Sequence, residues 1–245
     1  MDLTDLQFDN ELRGRIARHL EVHELREHSL DGKRHAAVAL VLLDSDAELH
    51  GADDVDIDRM VDLSGVPGVH GSDFTGKVAG TAGGPALLLT RRGANLSKHA
   101  RQWAFPGGRI DPGESPLEAA MRETQEEVGV ALTEDHLIGR LDDYTTRSGY
   151  VMSPFVFWLD NDQEPDANPD EVASIHRISF RELCRPDSPR FVAIDESDRP
   201  VVQIPVGGDL IHAPTGAIMY QFRAVGLDGK TVRVDDLEQP VFAWT

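Results

Sequence analysis

The residues with the most chemistry in them lie between positions 107 and 130. Gly107-Gly108-Arg109-Ile110-Asp111-Pro112-Gly113-Glu114 is followed, eight residues beyond Glu114, by Arg122-Glu123-Thr124-Gln125-Glu126-Glu127-Val128-Gly129-Val130. A glycine turn is thus succeeded by one carboxylate and then by three. On a helix, Glu123, Glu126 and Glu127 stand at i, i+3 and i+4 and share a face, where like charges repel. Carboxylate oxygens are hard ligands suited to Mg²⁺ or Mn²⁺, and such cations turn the repulsion into attraction. A divalent cation beside a glycine turn suits hydrolysis of a phosphate anhydride. A solvated acidic helix face is the plainer reading of E-x-x-E-E alone. The arginine, the glycine at the stop and the upstream Gly108 and Glu114 argue against it by their fixed offsets.

The element that must carry these acids is predicted over 116–128. Ser115-Pro116-Leu117-Glu118 is a capping box with proline at the first helical position. Ala119, Ala120 and Met121 propagate a helix well, and Gly129 supplies a left-handed stop. Leu117, Ala120, Thr124 and Val128 form the opposite, mostly apolar stripe.

This pattern resembles the Nudix hydrolases, whose box reads G-x5-E-x7-R-E-U-x-E-E-x-G-U with U a bulky aliphatic. Gly108, Glu114, Arg122, Glu123, Glu126, Glu127, Gly129 and Val130 match it, and Thr124 departs at the first U. The resemblance implies an α/β fold: a Nudix-type α/β/α sandwich with a mixed central sheet over about 33–185. It implies Glu123, Glu127 and Glu126 as metal ligands, the Gly107 carbonyl as a further one and Glu114 at the edge of the site. Arg122 would orient Glu123, with a surface salt bridge as its plainer role. The general base would come from the box, as Glu123, or from a later loop, as Glu164 or Glu171. Glu171 is favoured there because it directly precedes a predicted strand.

Composition bounds the rest. The chain has 245 residues, a formal net charge of −19 and a single cysteine, Cys184. That charge argues against nonspecific binding to nucleic acid or an anionic membrane. One cysteine excludes an intramolecular disulfide and a cysteine-rich zinc site. There is no membrane-length apolar run and no secretory signal at the N-terminus, so a cytoplasmic protein is expected. The expected partner is a small diphosphate; a second copy of the chain is the one macromolecular partner left open. Against the acidic total, Arg91, Arg92, Lys98, Arg101 and Arg109 occupy a stretch with no Asp or Glu. Arg92, Lys98, Arg101 and Arg109, with the Gly108 backbone, are the candidate phosphate contacts. A solvated basic loop is the alternative.

Three regions are expected: an N-terminal helical segment over 1–32, the Nudix-like domain over 33–185 with an insertion at about 44–83, and an extension over 186–245 packed on it. Helical spacing of apolar residues runs over 4–28. Strands are predicted over 35–43, 86–91, 136–145, 150–159 and 172–179, with helices over 180–184 and 213–222. Within the insertion, Asp54, Asp56 and Asp58 imitate a calcium loop, but Arg59 and Gly65 stand where glycine and glutamate are needed. The apolar end, 240–244, is expected to dock.

A second resemblance bears on substrate. Coenzyme A diphosphatases of this superfamily carry L-L-T-x-R-S/A-x3-R-x3-G-x3-F-P-G-G. Leu88-Leu89-Thr90-Arg91-Arg92 and Phe105-Pro106-Gly107-Gly108 match its ends, whereas Gly93, Ser97 and Arg101 depart from it. Coenzyme A is therefore the lead substrate, with ADP-ribose or another nucleoside diphosphate derivative as the alternative. A non-catalytic nucleotide sensor is the contrasting class.

Overall fold

The computed structural model describes residues 6–45, 84–93, 102–161, 163–206 and 209–244. Most of the acidic insertion, with Asp54, Asp56 and Asp58, lies outside the described residues, as do Ser97, Lys98 and Arg101.

The fold is built around the apolar strand β1 (Arg34–Asp44). Strand alternation sends its side chains to two faces. Val38, Leu40 and Leu42 enter one buried layer, and Ala37, Ala39, Val41 and Leu43 enter the other. A strand buried on both sides reads as a continuous apolar run for this reason. β1 pairs antiparallel with β2 (Pro85–Arg92) and parallel with β7 (Tyr150–Trp158), so the central sheet is mixed. β3 (Trp103–Ala104) and β8 (Val172–Ser179) flank β2. β5 (Leu137–Arg140) and β6 (Tyr144–Thr145) pair with β7, and β4 (Gly107–Arg109) pairs with β1.

Helices cover both faces, giving three layers. Over 4–28 the described residues form a single helix, α1 (Asn10–Val22), whose Leu12, Ile16 and Leu20 are buried in the first layer. The predicted central helix is α2 (Pro116–Val128), with the capping box made and Gly129 left-handed at φ 70°. Ala119, Ala120 and Val128 pack on the second layer. Thr124, the departure from the box, is fully buried, and its hydroxyl donates to the Ala120 carbonyl at 2.7 Å. The polar atom is satisfied inside the helix, so the packing survives.

Beyond residue 185 the chain forms more than the one helix expected there. After the short α3 (Phe180–Leu183), β9 (Arg190–Ile194), β10 (Ser197–Val206) and β11 (Asp209–His212) form a second, antiparallel sheet. The predicted helix follows as α4 (Thr215–Gln221) and widens into a π-helical stretch, Phe222–Leu227. Val202, Ile204, Ile211, Ile218 and Phe222 join the same buried cluster as α1 and the first face of β1. At the docked end Ala243 is buried, whereas Phe242 is exposed.

Two buried carboxylates, each paired with arginine, fasten this region. Arg91, 1% exposed, pairs with Asp209 of β11, which also accepts from Trp103 Nε1 at 2.7 Å. Arg91 is thereby a core residue and not a phosphate contact, because its charge is already matched inside the protein. Glu238, 1% exposed, accepts from Arg147, Arg199, Ser197 and the Gln239 amide. Among the described residues no helix is long and apolar enough to cross a membrane.

Candidate active site

β4 and α2 bring the box residues together. Gly108 lies opposite Ala37 of β1, facing α2. A methyl group added there would sit 2.5 Å from the carboxylate carbon of Glu123. Glycine is required because the acid lies directly over the backbone. At Gly107 the backbone stands at φ 153° and an added Cβ would lie 2.7 Å from the Val38 Cα, so strand approach also demands glycine.

Arg122 organises the carboxylates. Its Nε and Nη2 donate to the two oxygens of Glu114, at 2.8 and 3.0 Å, as a fork. Its Nη1 donates to Glu123 Oε1 at 3.0 Å and Glu126 Oε2 at 2.9 Å. Nη2 also reaches the Arg109 carbonyl at 3.1 Å. Arg122 therefore does hold Glu123. Its contact with Glu126, whose side chain is 53% exposed, is the surface salt bridge considered as its plainer role. Among the described residues no three acidic, histidine or cysteine side chains converge as a ready-made ion cage. Glu126 and Glu114 face the guanidinium, and Glu123 and Glu127 form the inner pair. Glu114 also accepts from the Asp111 amide, and its carboxyl is held below its ordinary value by Arg122.

The inner pair differs. Glu127 is 4% exposed; its Oε2 accepts from the Gly107 amide at 3.1 Å, and its Oε1 lies 3.9 Å from Arg92. Burial raises its pKa to about 7 against these two contacts, and the charges of Glu123 and Glu171 push the same way. Glu123 is also raised, by burial first, with Arg122 opposing and Glu126 and Glu171 adding to the rise. Glu123 Oε2 and Glu127 Oε1 accept no hydrogen bond from the described residues. Two hard oxygens short of donors in a half-buried recess fit a divalent cation chemically. As Lewis acid, such an ion polarises phosphoryl oxygens and lowers the pKa of bound water.

The loop over 163–171 closes the site from the far end of α2. Helix termini leave carbonyls unpaired. Here Asn168 N donates to the Glu127 carbonyl and Asp166 N to the Val128 carbonyl, both at 2.9 Å. The Glu171 carbonyl accepts from Gly93 N at 2.8 Å, and a Cβ at Gly93 would come within 3.2 Å of that oxygen. The departure at Gly93 thus has a local reason. Glu171 is exposed and makes no ion pair with the described residues, whereas Glu164 pairs with Arg177 at 2.7 Å. The sequence offered a composition signal for a loop here but no signal for its latch on the helix.

Arg92 is brought to the site. Arg109 is not brought in by its side chain: it alternates to the opposite sheet face and donates to Tyr150 Oη at 2.8 Å, contributing only its carbonyl to the cluster. Lys98 and Arg101 lie outside the described residues. Cys184 is partly buried with its thiol raised to about 11, as a packed thiol is.

A sequence model of the NUDIX domain matches residues 78–198. The uncharacterized Nudix hydrolase NudL of Yersinia enterocolitica is 41% identical over 102 residues, covering 41% of this chain and 52% of the relative. The protein of the same name from Yersinia pestis is 40% identical over 99 residues, covering 40% of this chain and 50% of the relative. The chain spans about half the length of the curated relatives it matches. A MutT/nudix family protein from Enterococcus faecalis superposes with TM-score 0.48 at 15% identity, over 89% of this chain and 74% of that one. The domain match, the relatives and every acid of the box present on α2 and its approach identify residues 78–198 of this chain as a Nudix domain.

Proposed function

We propose that this protein hydrolyses the diphosphate linkage of a nucleoside diphosphate derivative in the cytoplasm, with Mg²⁺ or Mn²⁺, and that coenzyme A or an acyl-CoA is the lead substrate. The carrying observation is the inner pair: Glu123 Oε2 and Glu127 Oε1, short of donors and raised by burial, under the glycine turn. A pure structural acid would be saturated with donors. Glu123 and Glu127 hold the cation in this reading, with Glu126 and the Gly107 carbonyl as further ligands and Glu114 acting through Arg122.

The chain's own groups supply the rest. Arg92, beside Glu127, donates to a phosphoryl oxygen and offsets its negative charge. Glu171 is assigned as the base that removes a proton from the attacking water. Its latched backbone and its effect on both inner acids support that role. The water oxygen bonds to one phosphorus as the bridging P–O bond breaks, and each product keeps a phosphate.

Coenzyme A leads because both ends of the upstream element, Leu88–Arg92 and Phe105–Gly108, match, and its Arg92 stands beside Glu127. ADP-ribose or a related derivative is the second reading, favoured by the departures at Gly93, Ser97 and Arg101. Incubation of a diphosphate panel with Mg²⁺ or Mn²⁺, with products identified by mass, tests both. Coenzyme A should yield 4′-phosphopantetheine and adenosine 3′,5′-bisphosphate. Cleavage of ADP-ribose with coenzyme A untouched would select the second reading, and tight binding without turnover of any member would make the protein a nucleotide sensor.

A further inference from the structure

On the sheet face away from α2, two arginines share one tyrosine. Arg34 of β1 pairs with Tyr150 of β7, and Ala36 of β1 pairs with Arg109 of β4. Residues two apart on a strand point the same way, so Arg34, Ala36 and Val38 share a side. Val38 belongs to the layer opposite α2, and Ala37 to the α2 layer. Tyr150 and Arg109 therefore stand with Arg34, across the sheet from Glu123. The Gly108 contact with Glu123 confirms the alternation from the other side.

The guanidinium carbons of Arg34 and Arg109 lie 4.0 and 5.6 Å from the centre of the Tyr150 ring. Each is also held by a hydrogen bond: Arg34 Nη2 donates to the Ser148 carbonyl at 3.0 Å, and Arg109 Nε to Tyr150 Oη at 2.8 Å. The two charges are thus closer than a Debye length, roughly 10 Å at 0.1 M salt, and they repel. Among the described residues neither makes an ion pair with an Asp or Glu, although the chain carries 43 acids. The remaining N–H groups of both forks face solvent from exposed side chains. Cation–π contact and one hydrogen bond each hold the forks in place before any ligand arrives. An anion bridging them would relieve the repulsion and use donors already oriented.

We propose that Arg34, Arg109 and Tyr150 form an anion site for a phosphate monoester or inorganic phosphate, separate from the diphosphate-cleaving cluster. Two sources of that group fit: a phosphate carried on the substrate itself, or a separate small phosphate that occupies this face alone. The site does not depend on the chain being a hydrolase.

Inorganic phosphate is titrated into the full chain at constant ionic strength while the arginine Nε signals are followed by NMR. Saturable shifts at Arg34 and Arg109, with the other arginines still, are expected. Arg34→Ala and Arg109→Ala should each weaken binding by roughly tenfold, the loss of one charge-assisted contact. Tyr150→Phe keeps the ring and frees Arg109, so a smaller loss is expected. Glu127→Gln should leave phosphate binding unchanged. Thermal unfolding checks that each variant folds, and Arg34→Lys, which keeps charge without the fork, substitutes if Arg34→Ala does not. Adenosine 3′,5′-bisphosphate separates the sources: shifts at Gly108 together with Arg34 assign the group to a substrate, and shifts at Arg34 and Arg109 alone assign it to a separate phosphate. Shifts that grow without saturation, match a chloride control, or survive both alanine variants would overturn the site.

Discussion

Glu127 and Glu238 are both buried carboxylates, and their surroundings push them in opposite directions. Burial would raise Glu238, but Arg147, the Gln239 amide, Ser197 and Arg199 together bring it down to about 2. Glu127 has one backbone amide and a distant Arg92, and burial leaves it at about 7. Desolvation is common to the two; the supply of donors differs. A carboxylate that fastens elements together is saturated, whereas one left short retains capacity for a ligand that arrives later. The linkage signs differ accordingly. The contribution of Glu238 is present above its ordinary 4.5 and lost as pH falls towards 2. That of Glu127 is full below 4.5 and lost as pH rises through about 7, unless positive charge joins it.

Exchanging these acids for amides is the strongest way to break the contrast. Glu127→Gln should lower kcat/KM by at least about a hundredfold while leaving the metal-free Tm at pH 8 equal to or above that of the parent. Near-parental turnover would remove Glu127 from the metal-holding pair. Gly108→Ala drives a methyl into the Glu123 carboxylate, so a loss of roughly ten- to a hundredfold in metal affinity is expected. Calorimetric titration of Mn²⁺ measures it, and an unaffected affinity would show that Glu123 moves freely.

At Glu238 the effect should fall on stability. Glu238→Gln leaves two arginines without their acid; because both are 41% exposed, the cost is discounted to about 2 kcal/mol at pH 7. The gap to the parent in denaturant melts should narrow between pH 4.5 and 2. A gap that stays constant over that range would mean that Glu238 is not ionised in the fold. The smallest effect belongs to Thr124→Val, which removes the hydroxyl bonded to Ala120. A stability change within about 1 kcal/mol and unaltered turnover are expected; a lost activity would give the box departure a chemical role.

Local chemistry was legible where one short segment wrote it. The capping box, the αL stop and both ends of α2 follow from Ser115, Pro116, Glu118 and Gly129, because each acts within a turn of itself. β1 was legible as an unbroken apolar run. What could not be read depended on partners far along the chain. Arg91 and Arg92 are adjacent and identical in type, yet strand alternation buries one against Asp209 and sends the other to Glu127. Likewise Arg109 follows the glycine turn directly, but its side chain crosses to Tyr150. The β9–β11 sheet was not legible because Asp195, Glu196 and Asp198, followed by Pro200 and Pro205, interrupt the alternation that marks a strand. The role of Asn168 depends on carbonyls that only the end of α2 exposes.

The ion pair between Arg91 and Asp209 has a consequence for trimming the molecule. Asp209 lies beyond residue 198, where the family match ends. A fragment cut at that boundary would strand a guanidinium in the middle of the sheet with its counter-charge on the discarded piece, a situation that costs several kcal/mol. The neighbour of that guanidinium, Arg92, is the one that stands by Glu127. Shortening the tail would therefore disturb the recess around Glu127 from behind, through the strand on which both arginines ride.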